Sequence, residues 1–311
     1  MNTFDKLKLI APINSIRVTD ESAFVQHHKN GFLTSLQYHT DEQKPFTLFI
    51  KIDYVKHNAV LEFTGKILES DYPKLISKET IGKCFDNITA MGFCEIVTDL
   101  MMEAEVYKCD VTKDIPCDDV PKVTSYLKGH IKNYFDFTSR VTRNKNLIIS
   151  KNVDTKNRKK SITIYDKEKE MRLADNVRFA DKYGINGCFD GLCRFEISLD
   201  SVMQIKDALR VPDTKLKTVL ESEANPIVDF LESAISETTN DVVFNDRKAY
   251  MTFLVLKDCK FDLEKVEAKM RSLYKRGTKF SEVMQPYRDM LNQMQQSKNR
   301  TLFTNLLDKL R

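Results

Sequence analysis

The chain has 311 residues, 41% hydrophobic and 30% charged, with a formal net charge of +4. That length suits one large domain with an appendage, or two domains, and the composition excludes a disordered polyelectrolyte. The small net charge names no partner, so the distribution of charge along the chain carries more information.

At the N-terminus, the apolar patch in MNTFDKLKLIAPINSI stops at Pro12 and is too short for a signal-peptide core. No stretch approaches the roughly 18 apolar residues that a membrane span needs. Residues 45–67 predict a hairpin: PFTLFIKIDYV, a polar turn at His57-Asn58, then AVLEFTGKIL, with Leu61 and Phe63 on one face and Val60, Glu62 and Thr64 on the other. SKETIGKCFDNITAMG (77–92) predicts a helix that starts near Ser77 and ends at Gly92. AEVYKCDVT (104–112) predicts a strand, and VPKVTSYLKGHI (120–131) a helix with Pro121 near its start.

Two strand-like runs follow, NLIIS (146–150) and SITIY (161–165), joined by a basic link. From Arg140 to Lys160 there are eight Lys/Arg against one acid, Asp154. LCRFEISLD (192–200) alternates cleanly, with Cys193, Phe195, Ile197 and Leu199 opposite Arg194, Glu196 and Ser198. Beyond residue 200 the pattern turns helical, with apolar stripes over 225–236, 262–274, 281–297 and the last ten residues. From Asp262 onward eleven basic residues face six acidic ones, a mildly basic tail. The seven cysteines are scattered without a CxxC pair, and only five histidines accompany them. Reduced thiols in a cytoplasmic protein are the expectation, not a zinc site or a disulfide framework.

Glu62, Asp110 and Glu196 each sit on a predicted strand whose other face is apolar, and Asp114 follows four residues after Asp110. Carboxylates are depleted on half-buried strands. If the polar faces coincide, these acids offer oxygen ligands to Mg²⁺ or Mn²⁺; the plainer alternative is that each faces water. In a straight strand Asp110 and Asp114 share a face but lie roughly 13 Å apart. One metal takes both only if the strand bends or bulges after Val111. Tyr165 alternates with Ile162 and Ile164 at the end of its strand, Lys167 shares its side if the chain stays extended, and Asp166 can cap a following helix. A phenol with a pKa near ~10 needs a cation or a metal beside it to become a nucleophile. The basic link before Tyr165 suits phosphate neutralisation, and a solvated surface loop is its alternative.

LEFTGK (61–66), CDVTKD (109–114), ITIYDKEKE (162–170) and CRFEISL (193–199), in that order, resemble the replication initiators of rolling-circle elements. The chain looks most like the filamentous-phage gene II/X replication proteins, with kinship to the Rep-trans plasmid initiators. FDKLKLIAPI and LEFTGKILESDYPKLIS are similar to the phage group, and the resemblance covers roughly residues 4–200. It implies an α+β fold of the HUH-like, Rep nuclease-like kind: a central, mainly antiparallel sheet with helices on one face. Residues 1–200 would form the catalytic DNA-nicking domain and 201–311 a mostly helical C-terminal region.

The resemblance also implies chemistry. Tyr165 matches the tyrosine that attacks a DNA phosphate, leaving a 5′-phosphotyrosine and a 3′-OH that primes synthesis. Asp110, Asp114, Glu196 and Glu62 match acids that hold Mg²⁺ or Mn²⁺ or stand behind its ligands. Lys167 and Arg194 match basic positions near the attacked phosphate. No His-x-His pair occurs, so the expected metal site is built from carboxylates. Arg140, Arg143, Lys145, Lys151, Lys156, Arg158, Lys159 and Lys160 are the expected DNA contacts. The partner expected is origin DNA, single-stranded or melted into a hairpin, with homodimerisation and a host helicase or polymerase as further partners and no membrane. Two other readings share these residues: a mobilisation relaxase with the same chemistry, and a non-catalytic origin-binding protein.

Overall fold

A computed structural model of the chain describes residues 2–40, 46–132, 136–151, 160–235, 246–274, 279–296 and 302–311. The strands are β1 (Thr3–Pro12), β2 (Ile16–Val18), β3 (Val25–Lys29), β4 (Phe32–His39), β5 (Leu48–Asp53), β6 (Asn58–Thr64), β7 (Cys94–Ile96), β8 (Glu105–Pro116), β9 (Phe137–Val141), β10 (Leu147–Lys151), β11 (Ser161–Asp166) and β12 (Leu192–Leu199). Ten of them form one sheet in the order β3-β4-β5-β6-β1-β8-β12-β11-β10-β9, and β2 pairs with β7 separately. Every pairing between strands of the large sheet is antiparallel. The class is thus α+β with a large antiparallel sheet.

The hairpin expected from the sequence forms, β5 with β6, and the two runs on either side of the basic link also pair, β10 with β11. The alternation holds because one face of each strand is apolar and buries it. Leu7 and Leu9 of β1, Leu61 and Phe63 of β6, Val111 and Ile115 of β8, Ile162 and Ile164 of β11, and Phe195 and Ile197 of β12 are all buried. Helices cover this apolar face. Val120–Gly129 packs on β11, Val202–Leu209 on β8 and β12, and Pro226–Ala234 on β8 and β12. Asp119 caps the first of these, with Pro121 in its first turn, and Asn225 caps the third with Pro226 beside it.

Helical cover is not confined to one face, as the sequence expectation had it. The segment Gly65–Lys74 and the helices Lys167–Met171 and Ala174–Tyr183 lie over the polar side, beside Tyr165. They bring their own small core of Tyr72, Leu75, Met171, Phe179, Ile185 and Phe189. The cause is in the sheet itself: the polar side of β12 carries Arg194, whose side chain is fully buried, and a charge without water needs a roof of partners.

Two compact units result, residues 1–236 with 309–311, and residues 237–308. The first contains the whole sheet and also the helices over 202–234. The second holds the helices Arg247–Asp258, Leu263–Leu273 and Phe280–Gln296 around Phe253, Leu256, Val266, Met270, Met284 and Met290. The apolar stripes read from the sequence in this region supply this core, except that Leu273 is exposed. All seven cysteines are free thiols.

Candidate active site

Three neighbouring strands, β8, β12 and β11, bring the predicted residues together. The register sets Tyr165 opposite Arg194, Arg194 opposite Asp114, Glu196 opposite Thr112 and Thr163, and Ser198 opposite Asp110. These side chains share one face because each is separated from the next on its own strand by an even number of residues. Tyr165 donates its hydroxyl to Glu196 Oε2 at 3.3 Å, longer than an ordinary O–H···O bond. Burial raises the Tyr165 phenol well above its usual range; Arg194 opposes the rise and the charge of Glu196 adds to it. Burial also pushes the Glu196 carboxyl up to about 7, aided by the charges of Asp5 and Asp110. Asp110 is raised as well, chiefly by burial.

The four acids expected to surround a metal divide into two groups. Pairing between β8 and β12 runs without a bulge from Cys109 to Pro116, so Asp110 and Asp114 stay two positions apart on their face. Asp114 gives both oxygens to Arg194, accepting from Nε and Nη2 at 2.7 Å each. Such a bidentate, charge-assisted pair leaves little for a cation. Glu62 lies on β6 and is clamped by Lys6 at 2.5 Å and Lys8 at 2.9 Å. Burial alone would raise its carboxyl, but the two lysines hold it below the ordinary value. Asp110 and Glu196 are the expected acids that no ion pair holds among the described residues; Asp110 accepts from Ser198 and Glu196 from Tyr165.

A third acid joins them that the strand alternation did not single out. Asp5 accepts from Arg194 Nη1 at 3.0 Å, and its charge is felt at both Glu196 and Asp110. A break in the register between β1 and β8, at Phe4 and Lys6, turns Asp5 onto the polar face beside Lys6. The signal was legible in the apolar spacing: Phe4, Leu7 and Leu9 carry one extra residue between the first two.

Lys167 and Arg194 take a different task from the expected phosphate contact. Both side chains are almost wholly hidden from solvent and already bonded. Lys167 Nζ donates to Tyr72 Oη at 2.9 Å and to Glu170 at 2.5 Å, and Arg194 Nη1 also donates to Tyr72 Oη at 3.2 Å. The cation expected to favour a phenolate at Tyr165 thus sits on the buried phenol of Tyr72. Gly65 makes this arrangement fit: a Cβ there would meet the Tyr72 ring at 3.3 Å and Asp5 Oδ1 at 3.4 Å. Burial lowers the Lys167 ammonium below its ordinary value, and nearby Arg194 lowers it further.

Tyr165 opens into a pocket of about 670 Å³ that is also lined by Asp5, Thr64, Lys66, Glu170, Arg178 and Lys182. Lys66 bonds Asn176, and its ammonium is lowered by burial. Thr64 Oγ1 is buried in the pocket wall without a partner. No family model matches the chain. No curated protein matches it either.

Of the expected DNA contacts, Arg140, Arg143, Lys145 and Lys151 are exposed on the β9–β10 hairpin, and Lys160 is half-buried just before β11. Lys156, Arg158 and Lys159 lie outside the described residues. Among the described residues no three His, Cys, Asp or Glu side chains close into a ready-made metal cluster. The donor set nevertheless fits a hard divalent cation of the open kind, in which one or two carboxylates are completed by phosphate oxygens and water. The observation behind this fit is the pair of buried carboxyls at Glu196 and Asp110, both raised and neither held in an ion pair among the described residues, with Asp5 beside them. Among the described residues no helix is long and apolar enough to cross a membrane.

Proposed function

We propose that the sheet-bearing unit is a DNA strand transferase that nicks one strand at a replication origin and rejoins it, as rolling-circle initiators do. The fold reading that goes with it is the HUH-like, Rep nuclease-like sheet. The observation that carries the proposal is the bond from Tyr165, which lines a pocket with Lys66 and Lys182, to Glu196, whose carboxyl feels the charges of Asp5 and Asp110 on the same face.

The chemistry follows from these parts. Tyr165 Oη attacks the phosphorus of a phosphodiester and the P–O3′ bond breaks. The phenolic proton passes to Glu196, whose pKa of about 7 suits a proton acceptor near neutrality. The leaving 3′ oxygen takes a proton from solvent and becomes the free 3′-OH, and the 5′ phosphate becomes a diester on the tyrosine. A phosphodiester is broken and another formed, so attack by a 3′-OH reverses the step without ATP. Asp110, with Asp5 beside it, would hold Mg²⁺ or Mn²⁺, which when bound neutralises phosphate oxygens and favours the phenolate, and Glu196 is left to take the proton. Lys66 and Lys182 offer positive charge to the backbone entering the pocket, Arg178 being paired with Asp175, while Arg194, Lys167 and Tyr72 tie β12, β11 and the covering segment together. The attacked strand should be single or melted, because a tyrosine recessed in a pocket cannot reach a phosphate in regular duplex.

The test is nicking of supercoiled DNA from the element that encodes the chain, with Mn²⁺ or Mg²⁺. The expected product is relaxed DNA with protein attached, absent with EDTA. Equal relaxation with and without EDTA would remove the carboxylate site from the reaction.

A further inference from the structure

The structure has a second cleft, on the other side of β11 from the Tyr165 pocket. It measures about 520 Å³ and lies between the helix Val120–Gly129, the β9–β10 turn and the start of the helix Lys167–Met171. Its position follows from strand alternation. Asp166, which lines it, is the residue after Tyr165, so the two side chains leave β11 on opposite faces.

The lining has two chemistries. Val120, Pro121 and Val141 give an apolar floor, and the Val141 side chain is 49% exposed although it belongs to a strand. Around it stand Lys128, Arg143, Lys145 and Lys169. Asp166 is the one acid in the lining and is already taken, accepting from the Lys169 backbone at 2.9 Å and pairing with Lys169 Nζ at 2.8 Å. Among the described residues no carboxylate pairs with Lys128, Arg143 or Lys145, which leaves three cations open. Asn144 and Ser125, both exposed, add hydrogen-bonding groups at the rim. Lys145 holds a left-handed backbone with φ of 63°, so the tip of the turn is shaped tightly around the cleft.

An apolar floor, an amide and a rim of unpaired cations match a nucleotide: base edges take polar groups, the base face takes apolar contact, and phosphates take the cations. A simple anion would leave the amide and the apolar floor unused. We propose that this cleft holds an unstacked nucleotide of single-stranded DNA, next to the phosphate presented to Tyr165, with its base on Val120, Pro121 and Val141 and its phosphates on Lys128, Arg143 and Lys145. This rests on the strand-transferase reading for its placement beside the attacked phosphate. The strand leaves the Tyr165 pocket over the end of β11 and enters the cleft on the far face.

Binding tests the cleft apart from catalysis. The full chain carrying Tyr165→Phe is titrated in EDTA with fluorescent single strands from the encoding element, each with one abasic position, and anisotropy is read. Removing one particular base should weaken binding several-fold, and Val141→Asp should abolish the sensitivity to that base. The Arg143→Ala, Lys145→Ala double variant should reduce the slope of log affinity against log salt by about 1.4, at ~0.7 per phosphate contact on a single strand. Uniform tolerance of abasic positions, or the same sensitivity in the Val141→Asp chain, would overturn the proposal. An unchanged salt slope would do so as well. Val141 and the two cations are exposed, so these variants fold, which circular dichroism checks. If nicking fails while the base-specific binding survives, the fault lies with the catalytic reading and not with the cleft.

Discussion

At Glu196 the folded chain holds a proton that the unfolded chain would release near the ordinary carboxylate value of 4.5. Its folded pKa is about 7 because burial and the charges of Asp5 and Asp110 disfavour the anion. Below the unfolded value both states are protonated and no stability is lost. As pH rises through the folded value, the folded state must carry a buried, uncompensated charge, which costs up to about 3 kcal/mol. Glu196→Gln should therefore raise the thermal midpoint in EDTA at slightly alkaline pH, with the gain vanishing at about pH 4. Mn²⁺ should stabilise the wild type more than the variant, and nicking should fall at least ~100-fold in the variant. A midpoint difference that is the same at both pH values would refute the account of Glu196. Asp110 and Asp114 should behave oppositely despite sharing a strand face. Asp114→Ala removes the bidentate partner of the buried Arg194 guanidinium, leaving Asp5 as its one carboxylate among the described residues, and should cost about 3–5 kcal/mol in urea unfolding. Asp110→Asn removes a buried charge that no ion pair holds and can keep the bond to Ser198, so it should leave stability equal or higher while nicking is lost.

The elements that carry the site were largely legible, for a physical reason that also marks where legibility stopped. Strands β6, β8, β11 and β12 alternate because one face meets the helices and the other meets polar groups, and alternation is visible in a single sequence. That rule puts Tyr165 on the polar side of its strand and Arg194 with Glu196 on the polar side of theirs, and the register brings the two sides together. The rule does not say which acid will find a cation. Asp114 and Glu62 looked like Asp110 and Glu196, and only cross-strand register gave Arg194 to one and Lys6 with Lys8 to the other. Lys167 was expected beside the nucleophile because the strand was continued past Asp166. The helix beginning at Lys167 instead turns it under Tyr72. Asp166 makes that turn by accepting from the Lys169 backbone amide. Asp166→Ala should cost about 1 kcal/mol globally. It should also raise hydrogen exchange at the amides of 167–171 more than elsewhere; uniform protection there would show that the cap is not what sets the turn.

Across the whole molecule, the strong fields are local. A net charge of +4 conceals buried acids beside Tyr165 and unpaired cations in the cleft behind it, one residue further along β11. Opposite charge on the two sides of a single strand suits a reaction that neutralises a phosphate at one place and holds its neighbours at another. The helices over 202–234 belong to the same unit as the sheet, so the apolar face of β8 and β12 is completed by residues beyond the motif-bearing region. Truncation near residue 200 would expose that face. The chain ending at residue 200 should therefore be insoluble or unfolded, a result that expression and circular dichroism would read; a stable, soluble fragment would contradict it.

The central claim is that Tyr165 becomes covalently joined to DNA. The DNA adduct formed with Mn²⁺ can be trimmed with nuclease, digested with trypsin and sequenced by mass spectrometry. Cleavage after Lys160 and Lys167 yields SITIYDK, residues 161–167. The predicted result is a 5′-phosphonucleotide on Tyr165 in that peptide and no adduct from the Tyr165→Phe chain. An adduct on another tyrosine, or undiminished adduct from Tyr165→Phe, would contradict the account.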